Sequence, residues 1–158
     1  MKIAATQYTL ETESFEIYIS GCDGVCGKHC HNPELWDFNI GVDYELKLPK
    51  ILSKIKEFDT LIKWIWILGG EPLLQDKKKL IKLLKQLKKT NKPVVLFTRF
   101  ELQNIPKEII KLCDYIKTGK YIKHLTTNNN IQYGIRLSTS NQQIHKIDYG
   151  DIIKNRKC

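Results

Sequence analysis

Apolar and mixed positions alternate along Phe15-Glu16-Ile17-Tyr18-Ile19, and that period of two predicts a strand. Ser20-Gly21 then opens a loop. Between Tyr44 and Phe58 the apolar residues fall at Leu48, Ile51, Leu52, Ile55 and Phe58, which are helical spacings. Leu61 to Leu68 is an apolar run with two Trp that ends at Gly69-Gly70, the pattern of a strand covered on both faces. Asp76 to Thr90 places Leu80, Ile81, Leu83, Leu84 and Leu87 on one side of an amphipathic helix. Pro93 to Thr98, with Val94-Val95-Leu96-Phe97, predicts another buried strand. Ile105 to Cys113 predicts a short helix with Pro106 in its first turn. Asp114 to Lys117 reads as a short strand, Lys120 to Asn130 as a loop and Gln132 to Leu137 as the last strand. From Ile144 onward the chain reads as an extended tail.

Strands alternating with helices imply an α/β fold with parallel strands joined by right-handed crossovers. A complete eight-fold barrel takes about 250 residues. At 158 residues the chain falls short of that, which predicts an incomplete (β/α) barrel with a mostly parallel sheet. No internal repeat or linker interrupts it, so a single domain is expected over 1–158.

Apolar residues make up 42% of the chain, enough for a packed core. No run approaches the roughly eighteen apolar residues of a membrane span. Met1 to Tyr8 has one Lys and no apolar h-region, so no secretion signal is expected and a cytoplasmic location is. The net charge of +9 suits a nucleic acid, a membrane surface or an acidic partner. The lysines, however, are scattered or lie along one helix, as Lys77, Lys78, Lys79, Lys82, Lys85, Lys88 and Lys89 do. That is the pattern of a solvated helix face rather than a nucleic-acid patch.

Three of the five cysteines fall within nine residues, in Cys22-Asp23-Gly24-Val25-Cys26-Gly27-Lys28-His29-Cys30. In a cytosolic chain this clustering points to metal rather than to disulfides. Thiolates suit zinc or an iron–sulfur cluster. Three of them on one loop can cap three irons of a cubane and leave the fourth open for chemistry. With His29 or His31 as a fourth ligand, the same loop could instead close a tetrahedral zinc site. Zinc sites usually draw a second pair of ligands from elsewhere in the chain, and Cys113 and Cys158 are isolated.

Past the loop the chain continues Cys30-His31-Asn32-Pro33-Glu34-Leu35-Trp36-Asp37-Phe38. With Ser20-Gly21-Cys22 this resembles the anaerobic ribonucleoside-triphosphate reductase activating proteins, a radical SAM family. Leu68-Gly69-Gly70-Glu71-Pro72-Leu73 is similar to the glycine-rich GGEP segment of that superfamily. Phe97-Thr98-Arg99-Phe100, the stretch Cys113 to Tyr121 and the stretch Gln132 to Gln142 resemble later family segments, so the likeness covers about 14–145. The chain departs from the usual C-x3-C-x2-C spacing. Here it is C-x3-C-x3-C, with His29 at the usual third position and Cys30 after it. Either His29 or Cys30 is then the third ligand; the downstream Cys30-His31-Asn32 register favours Cys30, and Gly24 and Gly27 can absorb the extra residue.

The resemblance implies a [4Fe–4S] cluster on Cys22, Cys26 and Cys30, with S-adenosylmethionine (SAM) chelating the open iron. It implies cofactor contacts from Gly69, Gly70, Glu71 and Thr98. Gly69-Gly70 would let backbone approach the methionine end of SAM, Glu71 would add charge or brace the turn, and Thr98 would reach a ribose or carboxylate. Arg99 is a candidate for the SAM carboxylate or an exposed structural residue. Thr139, Ser140 and Asn141 either line the site or end a strand. His31 would tune the cluster by hydrogen bonding to sulfur, and Trp36 would pack or meet the partner. The implied reaction is one-electron cleavage of SAM to methionine and a 5′-deoxyadenosyl radical, which takes a hydrogen atom from a glycine of the reductase large subunit. A flavodoxin or ferredoxin would supply the electron. Another glycyl radical enzyme or a small-molecule substrate is an alternative target. A basic zinc protein that binds nucleic acid is a second alternative; it would need cations and stacking aromatics on one face and leaves the GGEP segment without a role.

Overall fold

The computed structural model describes residues 1–148. Its principal sheet has seven strands: β1 (Lys2–Thr9), β2 (Ser14–Ile19), β3 (Val42–Asp43), β4 (Trp64–Gly69), β5 (Val94–Phe97), β6 (Tyr115–Thr118) and β9 (Gln143–Lys146), in the order β3-β1-β2-β4-β5-β6-β9. A separate hairpin comprises β7 (Ile131–Gln132) and β8 (Ile135–Arg136). The centre of the sheet, β2-β4-β5-β6, is parallel throughout. The pairs towards its edges are antiparallel. The result is an α/β domain with a mostly parallel, mixed sheet, consistent with the incomplete barrel that the alternation of elements predicts.

Three helices supply the crossovers: α1 (Tyr44–Glu57), α2 (Lys77–Lys88) and α3 (Lys107–Ile110). Asp76 caps α2 by accepting from the Lys79 amide at 2.8 Å. The third crossover shrinks to a single turn because Pro106 starts the helix late and Asp114 begins the return to β6, its backbone N–H bonding Val94 O at 2.9 Å.

Strand alternation assigns the two faces. Phe15, Ile17 and Ile19 of β2, Ile65 and Ile67 of β4, Val94 and Leu96 of β5 and Ile116 of β6 pack with Ile51, Ile55, Leu80, Leu83, Leu84, Leu87 and Ile109 from the helices. The opposite face is aromatic. Trp66 lies 4.9 Å from Phe97 and Trp64 lies 5.1 Å from Tyr115, ring centre to ring centre, with Ile135, Leu137 and Ile144 closing over them. Both faces of β4 are therefore covered, which is why the run from Leu61 to Leu68 shows no polar alternation.

Four segments differ from the sequence expectation, the two-residue strand β3 among them. Strand β1 was not expected, and its pattern shows why: Ile3 is its only fully buried residue, so no apolar alternation marks it. Gln132 to Leu137 does not join the large sheet. It forms the β7–β8 hairpin around Tyr133 and Gly134, both at positive φ (52° and 77°), a geometry suited to a two-residue turn. The expected extended tail from Ile144 is instead strand β9, held by Ile144, which is buried, and by a 3.0 Å contact between Thr118 Oγ1 and His145 Nε2. The end of the expected tail, with Cys158, lies outside the described residues.

Candidate functional site

The carboxyl ends of β2, β4, β5 and β6 surround a cleft of about 270 Å³. Ligands bind at this end in α/β folds, because the loops leaving parallel strands converge there. The loop after β2 brings Cys22, Cys26 and Cys30 to the cleft. All three are partly exposed thiols outside any disulfide. Burial pushes the Cys22 thiol up from its ordinary value. Among the described residues, His29 is not part of the cleft lining, and His31, Asn32 and Trp36 are.

Backbone bonds hold the loop against its neighbours. Gly21 N–H donates to Leu35 O at 2.7 Å and Cys22 N–H to Trp36 O at 3.0 Å. Glu71 N–H reaches Gly21 O at 2.9 Å, and Gly70 N–H reaches Ile19 O at 2.7 Å. The close approach at the two glycines is thus to the chain itself. A Cβ on Gly70 would stand 2.5 Å from Gly21 O, and one on Gly69, at φ +116°, would stand 2.5 Å from Ile19 O. Side chains are excluded there by the join between β4 and the start of the cysteine loop, whatever else approaches from the cleft.

Glu71 is 2% exposed and serves as a brace. Its Oε1 accepts from the Thr98 hydroxyl at 2.7 Å and the Leu73 amide at 2.9 Å, and its Oε2 accepts from the Arg99 amide at 2.9 Å. Burial raises its carboxyl above the ordinary range, against the pull of these donors. Glu71 therefore ties the end of β4 to the end of β5, and the Thr98 hydroxyl proton is committed to it. Thr98 also accepts from Phe100 N–H at 3.2 Å. Both residues line the cleft, but their polar atoms in this structure serve each other.

Arg99 is largely buried and lines the cleft. Its Nη2 lies 2.6 Å from Asp23 Oδ2, inside the cysteine loop, and its guanidinium lies 4.4 Å from the centre of the Phe100 ring. His31 lines the cleft with its ring tilted against Tyr121 at 4.6 Å. The hydrogen bond to a cysteine sulfur comes from Trp36, whose indole Nε1 is 3.4 Å from Cys30 Sγ. Among Thr139, Ser140 and Asn141, none lines the cleft; their neighbours Ser138 and Gln142 do. Asn141 Nδ2 bonds Lys120 O at 3.0 Å.

Sequence reasoning passed over Lys117. It is 9% exposed, lines the cleft and donates to Gly119 O at 2.7 Å. Burial lowers its amine to about 8. The available signal was a lysine inside a short strand, alternating with the buried Ile116 and so on the sheet side opposite the helices.

A closed zinc site needs four donors around one point at about 2.0–2.3 Å. Among the described residues, no three of His, Cys, Asp and Glu are so gathered. A cubane takes one thiolate at each of three irons, and the donor set here, three partly exposed cysteines lining one cleft, is of that kind.

A family model described as a 4Fe-4S single cluster domain matches residues 14–145. The chain belongs to this family. No curated protein matches it. The 4Fe-4S single cluster domain is of the radical SAM type, so the match spans the same residues as the resemblance in the sequence and starts with β2, the strand that delivers the cysteine loop. Among the described residues, no helix of this 4Fe-4S domain is long and apolar enough to cross a membrane.

Proposed function

We propose that this 4Fe-4S domain is a radical SAM activase that generates a glycyl radical on an anaerobic ribonucleoside-triphosphate reductase. The observation that carries the reading is the meeting of Cys22, Cys26 and Cys30 with the Gly69-Gly70-Glu71 turn at one cleft, within a chain of the cluster family. The cluster, when bound, supplies an electron that cleaves SAM reductively. The cysteines hold it, and Gly69, Gly70, Glu71 and Thr98 shape the wall on which SAM rests. Glu71 and Thr98 act by fixing the strand ends, since each uses the other as its partner. Lys117 adds a buried cation on the same wall. The cleft opens at the rim of the sheet, where a loop of a partner protein can enter. Pro33 and Phe38 are exposed near the cysteine loop and suit such a contact, while Leu35 beside them is buried. The electron would come from a flavodoxin or ferredoxin.

Anaerobic reconstitution with iron and sulfide, followed by reduction and addition of SAM, tests the reading in two stages. The expected product is methionine with 5′-deoxyadenosine, and then, with an anaerobic reductase from the same source, a paramagnetic doublet that disappears when the reductase's acceptor glycine is replaced by alanine. SAM cleavage without a reductase radical would redirect the proposal to another glycyl radical enzyme or a small substrate. A colourless protein that binds zinc alone would overturn it.

A further inference from the structure

Trp36 touches the cysteine loop at its start, middle and end. Its carbonyl accepts from Cys22 N–H at 3.0 Å. Its ring lies against Gly24, where an added Cβ would come within 3.2 Å of the indole. Its Nε1 donates to Cys30 Sγ at 3.4 Å. The residue is anchored from below, because it ends the turn Pro33–Leu35, its own N–H bonds Pro33 O at 3.2 Å, and Leu35 is buried.

We infer that Trp36 is a positioning residue that raises the reduction potential of the cluster through its N–H···S bond to Cys30. The inference rests on the proposed cluster site and adds to it a donor for one sulfur. An indole N–H only donates and does not titrate, so its partner must be an acceptor, and a thiolate is a better one than a thiol. The bond therefore favours Cys30 in its metal-bound form. His29, the competing ligand in the sequence, is outside the cleft lining among the described residues. Adding an electron to a thiolate-bound cluster increases the negative charge on its sulfurs, and a donor already aimed at one of them stabilises the reduced form more than the oxidised form. Because indole carries no ionisable proton in the working range, this contribution is independent of pH.

The test compares the reconstituted parent protein with Trp36→Phe and with a variant carrying 3-benzothienylalanine at position 36. The second replaces only the N–H with sulfur and keeps the bicyclic shape. Iron and sulfide content is measured first, then the midpoint potential by spectroelectrochemical titration at two pH values. Hyperfine spectroscopy of the reduced cluster after exchange into D2O reads the indole deuteron. Expected are equal cluster content and a roughly tenfold loss of the reduced form at fixed potential, about 59 mV for a one-electron couple, in both variants and at both pH values. The exchangeable coupling present in the parent should vanish. Unmoved potentials in both variants would overturn the inference. So would a Phe variant without cluster beside a benzothienyl variant at the parent potential, since only packing would then matter. A parent that assembles no iron–sulfur cluster would overturn the reading of function itself, and the inference with it.

Discussion

Arg99 Nη2 stands 2.6 Å from Asp23 Oδ2, so an arginine leaving β5 grips the loop between its first two cysteines. The pair couples two segments 76 residues apart in the chain. Asp23 is partly exposed, which limits the pair's worth to about 1 kcal/mol or less. Its effect belongs on the loop rather than on global stability. In Arg99→Gln, amide hydrogen exchange across 22–30 in the metal-free protein should speed up severalfold while exchange in β4 and β5 stays unchanged. Unchanged loop exchange would remove the grip.

Gly70→Ala should destabilise the fold. The added methyl would stand 2.5 Å from Gly21 O, which is backbone, so the start of the cysteine loop must move. A cost of about 1–3 kcal/mol follows from overpacking of this kind. Thermal denaturation of the metal-free protein should show a lower Tm, and cluster uptake should fall with it. If the glycine served only the approach of SAM, the Tm would be unaffected.

Replacing Cys22, Cys26 or Cys30 by Ala should each abolish cluster assembly, since two thiolates do not hold a cubane firmly. His29→Ala and Cys113→Ala should retain it; Cys113 is fully buried away from the cleft, and burial drives its thiol far up. Iron and sulfide content with visible absorption checks all five. Loss of the cluster in His29→Ala with retention in Cys30→Ala would reverse the ligand assignment.

Lys117 should titrate near pH 8 in the metal-free protein rather than at its ordinary 10.5. Burial is the principal cause, opposed by the charge of Glu71. Between those two pH values the unfolded chain holds this proton and the folded chain has released it, so stability contributed through this group rises with pH across the window. The burden of the buried charge is on the order of 3 kcal/mol below the window. Lys117→Met sheds that burden and loses the bond to Gly119 O, worth about 1 kcal/mol. The variant should therefore be about 2 kcal/mol more stable than the parent at pH 7, with the advantage fading above pH 10. Urea unfolding at the two pH values measures this, and NMR of the ¹³C-methylated amine reads the titration.

The parallel strands and the two long helices were legible because their burial is periodic. Leu80, Leu83, Leu84 and Leu87 mark one face of α2, and the unbroken apolar run before Gly69 marks a strand buried on both faces. The cysteine loop and the GGEP segment were legible as chemistry because each is short and contiguous. Strands β1 and β9 were not: β1 lies between β3 and β2 but buries only Ile3 fully, and β9, at the edge, buries only Ile144, so neither carries an apolar alternation and both are defined by backbone pairing.

The sequence by itself determined the α/β class, the order of the central elements and three cysteines on one loop after the first of the parallel strands. These depend on local periodicity and residue type, which a linear chain carries openly. Only the tertiary structure decided which partner each polar atom takes. For Glu71 the sequence left open a charge at the site or a brace, and the fold makes it a brace between Thr98 and the Arg99 amide; Arg99 in turn pairs with Asp23, a partner with no mark along the chain. Trp36 looked like packing and proved to be the donor to Cys30. Hydrogen bonds and ion pairs act over a few ångströms in space, and folding brings together residues that the sequence keeps apart. For that reason the cleft's internal wiring had no signature along the chain.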